Sequence, residues 1–264
     1  MKKVEGVIFD WAGTTVDFGC FAPVHAFVNV FKNAGIEVTI EEAREPMGLT
    51  KIDHIRTMLS MPRISELWSK KYGQAFTEQD VENLYVGFEA ALLETLAMYT
   101  DPKPEVLTTI EQLRNQGLKI GSTSGYTQKM MDIVVPEAEK KGYRPDFYIT
   151  ADGTSDVGRP YPYMIYRNME ALKLSAACHV VKVGDTIPDI DEALNAGVWS
   201  VAVIIGSSEM GLSEEEFHAL SEMEQEDLIA RVEKTFKDRG ADFTIRSMGE
   251  LPGIIEEINQ LLVK

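Results

Sequence analysis

One interruption constrains the fold more than any other feature of the chain. Strand-like and helix-like segments alternate along it, but residues 20–98 read as helix throughout. Phe21 to Ala34 carries an apolar face and stops at Gly35. Ile40 to Pro46, Thr50 to Met61, Ile64 to Tyr72 and Glu78 to Met98 continue the pattern, punctuated by Pro46, Gly48, Pro62 and Gly73. No strand alternation occurs there. Val7-Ile8-Phe9 precedes the block. Lys119-Ile120-Gly121-Ser122, Phe147-Tyr148-Ile149, Val180-Val181-Lys182-Val183 and Ser200-Val201-Ala202-Val203-Ile204 follow it, with helices such as Pro104 to Gln116 between them. Short apolar strands separated by helices predict an α/β fold, a doubly wound parallel sheet with right-handed crossovers. The helical block is then an all-helical cap, residues 20–98, inserted into a core of residues 1–19 and 99–264.

With 264 residues the chain is long enough for one large α/β domain and such an insert. A net charge of -16 argues against nucleic acid or an anionic membrane as partner. An anionic small molecule would need a local positive site built from a metal, a Lys or Arg, and backbone N–H groups. Cys20 and Cys178 are too few for a disulfide framework. Met1-Lys2-Lys3-Val4-Glu5 meets an acid too early for a signal peptide, and no run approaches the ~18 apolar residues of a membrane span. A soluble cytoplasmic protein is expected. Glu214-Glu215-Glu216 reads as an acidic helix N-terminus.

Four loops at the ends of expected strands hold the residues that can do chemistry. Asp10 follows Phe9, Ser124-Gly125 follows the second strand, Gly158-Arg159-Pro160 the third, and Gly184-Asp185-Thr186 with Asp189 the fourth. The carboxyl edge of such a sheet is where open α/β folds bind ligands. Singly, each element also fits a turn or a helix cap; their order, at helix-sized separations, makes them a set. Asp10-Trp11-Ala12-Gly13-Thr14-Thr15 resembles the D-x-D-G-T-x signature of the haloacid dehalogenase-like phosphotransferases, with Ala12 in place of the second Asp. The resemblance implies that Asp10 is the nucleophile and that Ser124 and Gly125 hold phosphoryl oxygens. It also implies that Arg159 offsets their charge. Asp10, the carbonyl of Ala12 and Asp185 would ligate Mg²⁺, with Asp189 one layer further out; an all-oxygen set suits that ion.

In most of the superfamily the second Asp protonates an oxygen leaving group, so Ala12 implies a leaving group that needs no such proton. The cap segment from Arg44 to Ile55 resembles the part of the phosphonoacetaldehyde hydrolase (phosphonatase) family that carries a Schiff-base lysine, here Lys51. Attack at phosphorus would otherwise expel a carbanion. An imine between Lys51 and the aldehyde of phosphonoacetaldehyde provides the electron sink, and carbon departs as an enamine. His54 lies at i+3 from Lys51 on the same helix face, and Met47 and Tyr126 also match the family, as does Cys20. His25, His179 and His218 read as structural. Family resemblance and the apolar residues Phe27, Val30, Met58, Leu59 and Met61 suggest a homodimer through the cap. Hinges are expected near Phe18-Gly19 and Tyr99-Thr100-Asp101-Pro102. A phosphatase or phosphomutase of the same superfamily is the rival enzyme, opposed by Ala12. A catalytically silent binding scaffold is opposed by the joint retention of Asp10, Ser124, Arg159, Asp185 and Lys51.

Overall fold

Val7, Ile8 and Phe9 are all fully buried, and successive side chains serve opposite faces. Val7 and Phe9 join one core cluster, while Ile8 packs with Ile165, Val180 and Ala193 in another. A strand covered on both faces belongs inside a parallel sheet. The computed structural model describes residues 3–263; Met1, Lys2 and Lys264 lie outside it, and with them the first two residues of the N-terminal stretch read above. Its strands are β1 (Gly6–Phe9), β2 (Lys119–Ser124), β3 (Phe147–Thr150), β4 (Val180–Gly184), β5 (Trp199–Val203) and β6 (Phe243–Ile245). They form one sheet in the order β3-β2-β1-β4-β5-β6, every neighbouring pair parallel. Because β1 lies between β2 and β4, the crevice of a doubly wound sheet opens at its carboxyl end, beside Asp10.

The helical insert consists of α1 (Phe21–Asn33), α2 (Ile40–Arg44), α3 (Lys51–Ser60), α4 (Pro62–Tyr72) and α5 (Glu78–Thr95), followed by a 3₁₀ turn at Leu96–Tyr99. Local chemistry sets these limits. Thr50 Oγ1 caps α3, Pro62 opens α4, and left-handed Gly73 closes it. Thr77 and Asp80 form a capping box on α5. The insert has its own aromatic centre, in which Phe27 stacks on Phe88 at 4.2 Å and on His54 at 3.8 Å. Phe27, Met58 and Leu59 are fully buried there and Val30 almost so. The apolar surface suggested above for a dimer is therefore not theirs: α1, α3 and α5 cover one another.

The core adds α6 (Val106–Asn115), α7 (Gln128–Lys140), α8 (Tyr163–Leu172), α9 (Ile187–Ala196), α10 (Glu214–Ala219), α11 (Glu222–Arg239) and α12 (Leu251–Leu262). Ser213 and Glu216 form a capping box at the acidic start of α10. The edge strand β6 was not expected from the sequence. It is three residues long and only Ile245 is buried, too little for a period-two pattern. Between core and insert the chain crosses twice, and the crossings run side by side. Val16 bridges Pro102, Asp17 N–H donates to Asp101 O at 3.3 Å, and Lys103 N–H donates to Thr15 O at 2.9 Å.

Candidate active site

Asp10 is nearly buried, with its amide donating to Val183 O of the adjacent strand at 2.9 Å. The chain then turns tightly, the amides of Thr14, Thr15 and Val16 all pointing at Trp11 O. Gly13, in the left-handed region, faces Asp185 so closely that a Cβ would collide with its carboxylate. The first loop can thus lie directly against the fourth. Asp185 Oδ1 accepts from Thr14 Oγ1 at 2.6 Å and Oδ2 from the Ser208 amide at 2.7 Å. Burial, and then the charges of Asp10 and Asp189, push the Asp185 carboxyl up to about 7.

Asp10, Asp185 and Asp189 each bring an oxygen within 4.8 Å of the others. Oxygen donors with a surplus of negative charge fit a hard divalent cation, and three buried carboxylates this close provide such a set. Asp189 is the most committed of the three. Its Oδ2 accepts from Thr186 Oγ1 at 2.6 Å, while Oδ1 lies 2.9 Å from Lys182 Nζ and 3.1 Å from Arg159 Nη1. It braces the site from behind, whereas Asp10 and the half-buried Ala12 line the cavity.

Arg159, 1 % exposed at its side chain, is the positive element. Its Nη2 donates to Asp10 Oδ1 at 2.7 Å and to Thr123 Oγ1 at 2.9 Å, and its Nε to Glu192 Oε2 at 3.0 Å. Ser124 Oγ accepts from the Tyr126 amide at 3.0 Å, which leaves the hydroxyl hydrogen as a donor. Ser124, Gly125 and Arg159 line the same small cavity as Asp10.

From the insert, Met47, Gly48 and Lys51 close this cavity. Lys51 is the first residue of α3, at the positive end of that helix. It is 5 % exposed, and its Nζ stands 5.1 Å from the Tyr126 ring centre and 5.9 Å from that of Phe27. Burial first, helped by the Arg159 charge, holds the amine below its ordinary value, while Asp10 and Asp185 pull the other way. Cys20 also lines the cavity, but burial pushes its thiol far up, so it stands beside the amine as a neutral group. His54 is not brought to the cavity. It stacks on Phe27 inside the insert, its Nε2 2.9 Å from Ala43 O, and burial depresses its basicity well below the ordinary range.

Glycines form the seam between insert and core. A Cβ on Gly125 would meet Leu49 O at 2.9 Å, one on Gly158 would meet Thr50 Cγ2 at 2.6 Å, and one on Gly48 would collide with Thr186. Thr14, Ser208, Thr123, Lys182 and Glu192 also belong to the site and its support, and no motif in the sequence marks their roles. One signal was present: a lysine amid the apolar β4 requires a buried partner.

The haloacid dehalogenase-like hydrolase family matches residues 4–197. Among curated proteins, the phosphonoacetaldehyde hydrolase of Lysinibacillus sphaericus is 59% identical, over 98% of this chain and 97% of its own. That of Bacteroides fragilis is 52% identical, over 99% of each. Among solved structures, a phosphonoacetaldehyde hydrolase-like protein from Oleispira antarctica superposes with a TM-score of 0.94. It is 39% identical, with 97% of this chain and 93% of that one covered.

The seam yields a test of its own. Gly125 does not occupy the left-handed region, so Gly125→Ala carries no backbone penalty and acts only through its methyl group on the Leu49 carbonyl. The substitution should part insert and core, and Lys51 should then react several-fold faster with an amine-acylating reagent, read by peptide mapping. Unchanged labelling would show that this contact does not control access.

Proposed function

Because the chain belongs to the haloacid dehalogenase-like hydrolases and, within them, to the phosphonoacetaldehyde hydrolases, we propose that it hydrolyses the P–C bond of phosphonoacetaldehyde to acetaldehyde and phosphate. The observation that carries this reading is the pairing of a buried amine, Lys51, with Asp10 across one cavity. Ala12 stands there where an acid would serve an oxygen leaving group.

The Lys51 amine adds to the aldehyde and a water departs, leaving an imine. Asp10 then attacks phosphorus; the P–C bonding pair moves onto carbon and into the protonated imine, giving an enamine and an aspartyl phosphate. Protonation at carbon and one water release acetaldehyde and free Lys51. A second water cleaves the aspartyl phosphate, so one water is consumed overall. Arg159 beside Asp10, with the Ser124 hydroxyl and the loop amides, faces the oxygens whose charge grows during transfer. No alkoxide forms, and Ala12 fits that requirement.

A divalent metal belongs to this chemistry, and Mg²⁺ is the ion proposed, held by Asp10, the Ala12 carbonyl and Asp185. When bound it supplies positive charge to the phosphoryl oxygens and offsets the two carboxylates. Asp189 orients its neighbours through Thr186, Lys182 and Arg159. Residues 20–98 act as a cap that closes on the core, 1–19 and 99–264, with hinges near Phe18-Gly19 and Tyr99–Pro102. Closure brings Lys51 to Asp10 and excludes water. Among the described residues no helix is long and apolar enough to cross a membrane, and a cytoplasmic enzyme is proposed.

Incubation with phosphonoacetaldehyde and Mg²⁺ should release acetaldehyde and phosphate in equal amounts, and borohydride should trap substrate on the Lys51 peptide. Trapping should rise through a pH below lysine's ordinary value of about 10.4, because the buried amine loses its proton more readily. Lys51→Arg should abolish turnover, since a guanidinium does not become a neutral amine. Label on another peptide, or none with normal turnover, removes Lys51 from the mechanism.

Ala12→Asp should not improve P–C cleavage. The added carboxylate takes space in the cavity and brings negative charge to an already acidic site; a several-fold gain in turnover would contradict the reading. New activity on phosphate monoesters would agree with it.

A homodimer through the cap is also proposed. Its contact would draw on exposed apolar residues of the insert, among them Val86, Tyr72 and Ile40, rather than on the buried centre. Light scattering at micromolar concentration should give twice the chain mass; a monomer removes the dimer and leaves the catalytic reading intact.

A further inference from the structure

Arg159 and Asp189 belong to a closed set of buried charges whose other two members, Lys182 and Glu192, touch neither the cavity nor the proposed reacting atoms. Lys182, on β4, is 1 % exposed; its Nζ donates to Thr123 Oγ1 at 2.9 Å and lies 2.9 Å from Asp189 Oδ1 and 3.6 Å from Glu192 Oε2. Glu192, on α9, is fully buried, and its Oε2 accepts from Arg159 Nε at 3.0 Å and from Thr123 Oγ1 at 3.1 Å. Thr123 Oγ1 in turn accepts from Arg159 Nη2 and Lys182 Nζ, so its one hydrogen and two lone pairs are all used. The set holds two cations, Arg159 and Lys182, and two carboxylates, Asp189 and Glu192. Asp10 stands outside that balance, as a third acid on Arg159.

Burying ions costs more than their mutual attraction returns in many proteins, and apolar side chains would fill the same space at no loss of stability. The arrangement therefore needs a reason other than stability. We propose that Lys182 and Glu192 are positioning residues that fix Arg159 for phosphoryl transfer. Glu192 holds Nε and Asp189 holds Nη1, which fixes the guanidinium plane with Nη2 toward Asp10. Lys182 supplies a second positive charge beside Asp189 and Glu192, so that Arg159 is not drawn off the nucleophile to serve them alone. The inference rests on the reading that Arg159 meets the transferring phosphoryl group.

Lys182→Met and Glu192→Gln should each lower kcat on phosphonoacetaldehyde by about 10–100-fold, with a smaller change in KM, as expected when a positioned group slips. Borohydride trapping at Lys51 under saturating substrate should keep its rate in both, because the Arg159 charge that helps hold the Lys51 amine down is still present and imine formation precedes phosphoryl transfer. The double variant, Lys182→Met with Glu192→Gln, removes one charge of each sign and keeps an amide oxygen against Nε. It should recover most of the lost kcat. A double variant as impaired as the product of the two singles would overturn the proposal, since independent sites add their losses, whereas two opposite charges that jointly hold one guanidinium must not. If Lys182→Met does not fold, Glu192→Gln decides alone: reduced kcat with intact trapping supports the proposal, and unchanged kcat overturns it. Absence of trapping or of acetaldehyde release in the unaltered enzyme counts instead against the proposed reaction itself.

Discussion

Two carboxylates, Asp10 and Asp185, are held close together and away from water, and the surrounding structure is arranged to tolerate them. Neither repulsion nor desolvation favours this placement, and the elevated Asp185 registers both. What offsets them is local: the Thr14 hydroxyl and Ser208 amide on Asp185, and the Arg159 guanidinium on Asp10. Gly13 makes the approach sterically feasible. Lys103 adds a buried ammonium on the carbonyls of Gly13, Ile205 and Gly206, which ties the first loop to the segment after β5. The carboxylate cluster that could hold a cation and the proposed nucleophile are consequences of the same crowding.

The same exclusion of water acts with opposite effect on the amine across the cavity. Burial disfavours charge on any group, so it raises a carboxyl and lowers an ammonium. Lys51 at the seam and Asp185 in the core loops beneath it are both moved toward neutrality by burial. The seam is close because Gly125 and Gly158 present no side chains where Leu49 and Thr50 arrive. The contact that seats the insert on the core is also the contact that buries the amine.

Much of this was legible in the chain. Strand ends place Asp10, Ser124 and Asp185 at the carboxyl edge, because apolar runs followed by small residues have few other geometries. β2 and β4 run slightly further than their apolar patterns, to Ser124 and Gly184, since polar and glycine residues can complete a buried parallel strand. Lys51 was visible only through resemblance: a lysine in an amphipathic helix looks like any surface lysine, yet here it is buried. His54 marks the limit of helical periodicity. Spacing puts it on the same side of α3 as Lys51, but not at the same depth, and its ring turns into the aromatic centre of the insert. The partners of Arg159 other than Asp10 come from β2 and α9, and no spacing in the sequence points from them to it. Lys182 announces only that some acid must meet it.

The paired crossings carry a consequence for how such a molecule changes over generations. Thr15 and Lys103, Val16 and Pro102, and Asp17 and Asp101 meet at backbone-pairing distance. From the side of the sheet, the whole helical insert thus begins and ends at one point, as a hairpin loop would. Lengthening a loop whose ends are already pinned costs little further entropy, about 0.6 kcal/mol for each doubling. The sheet and its acidic edge are insulated from whatever stands between the two crossings. Inserts of different size can be exchanged there without disturbing strand register, so what covers the acidic edge can change while the edge itself does not.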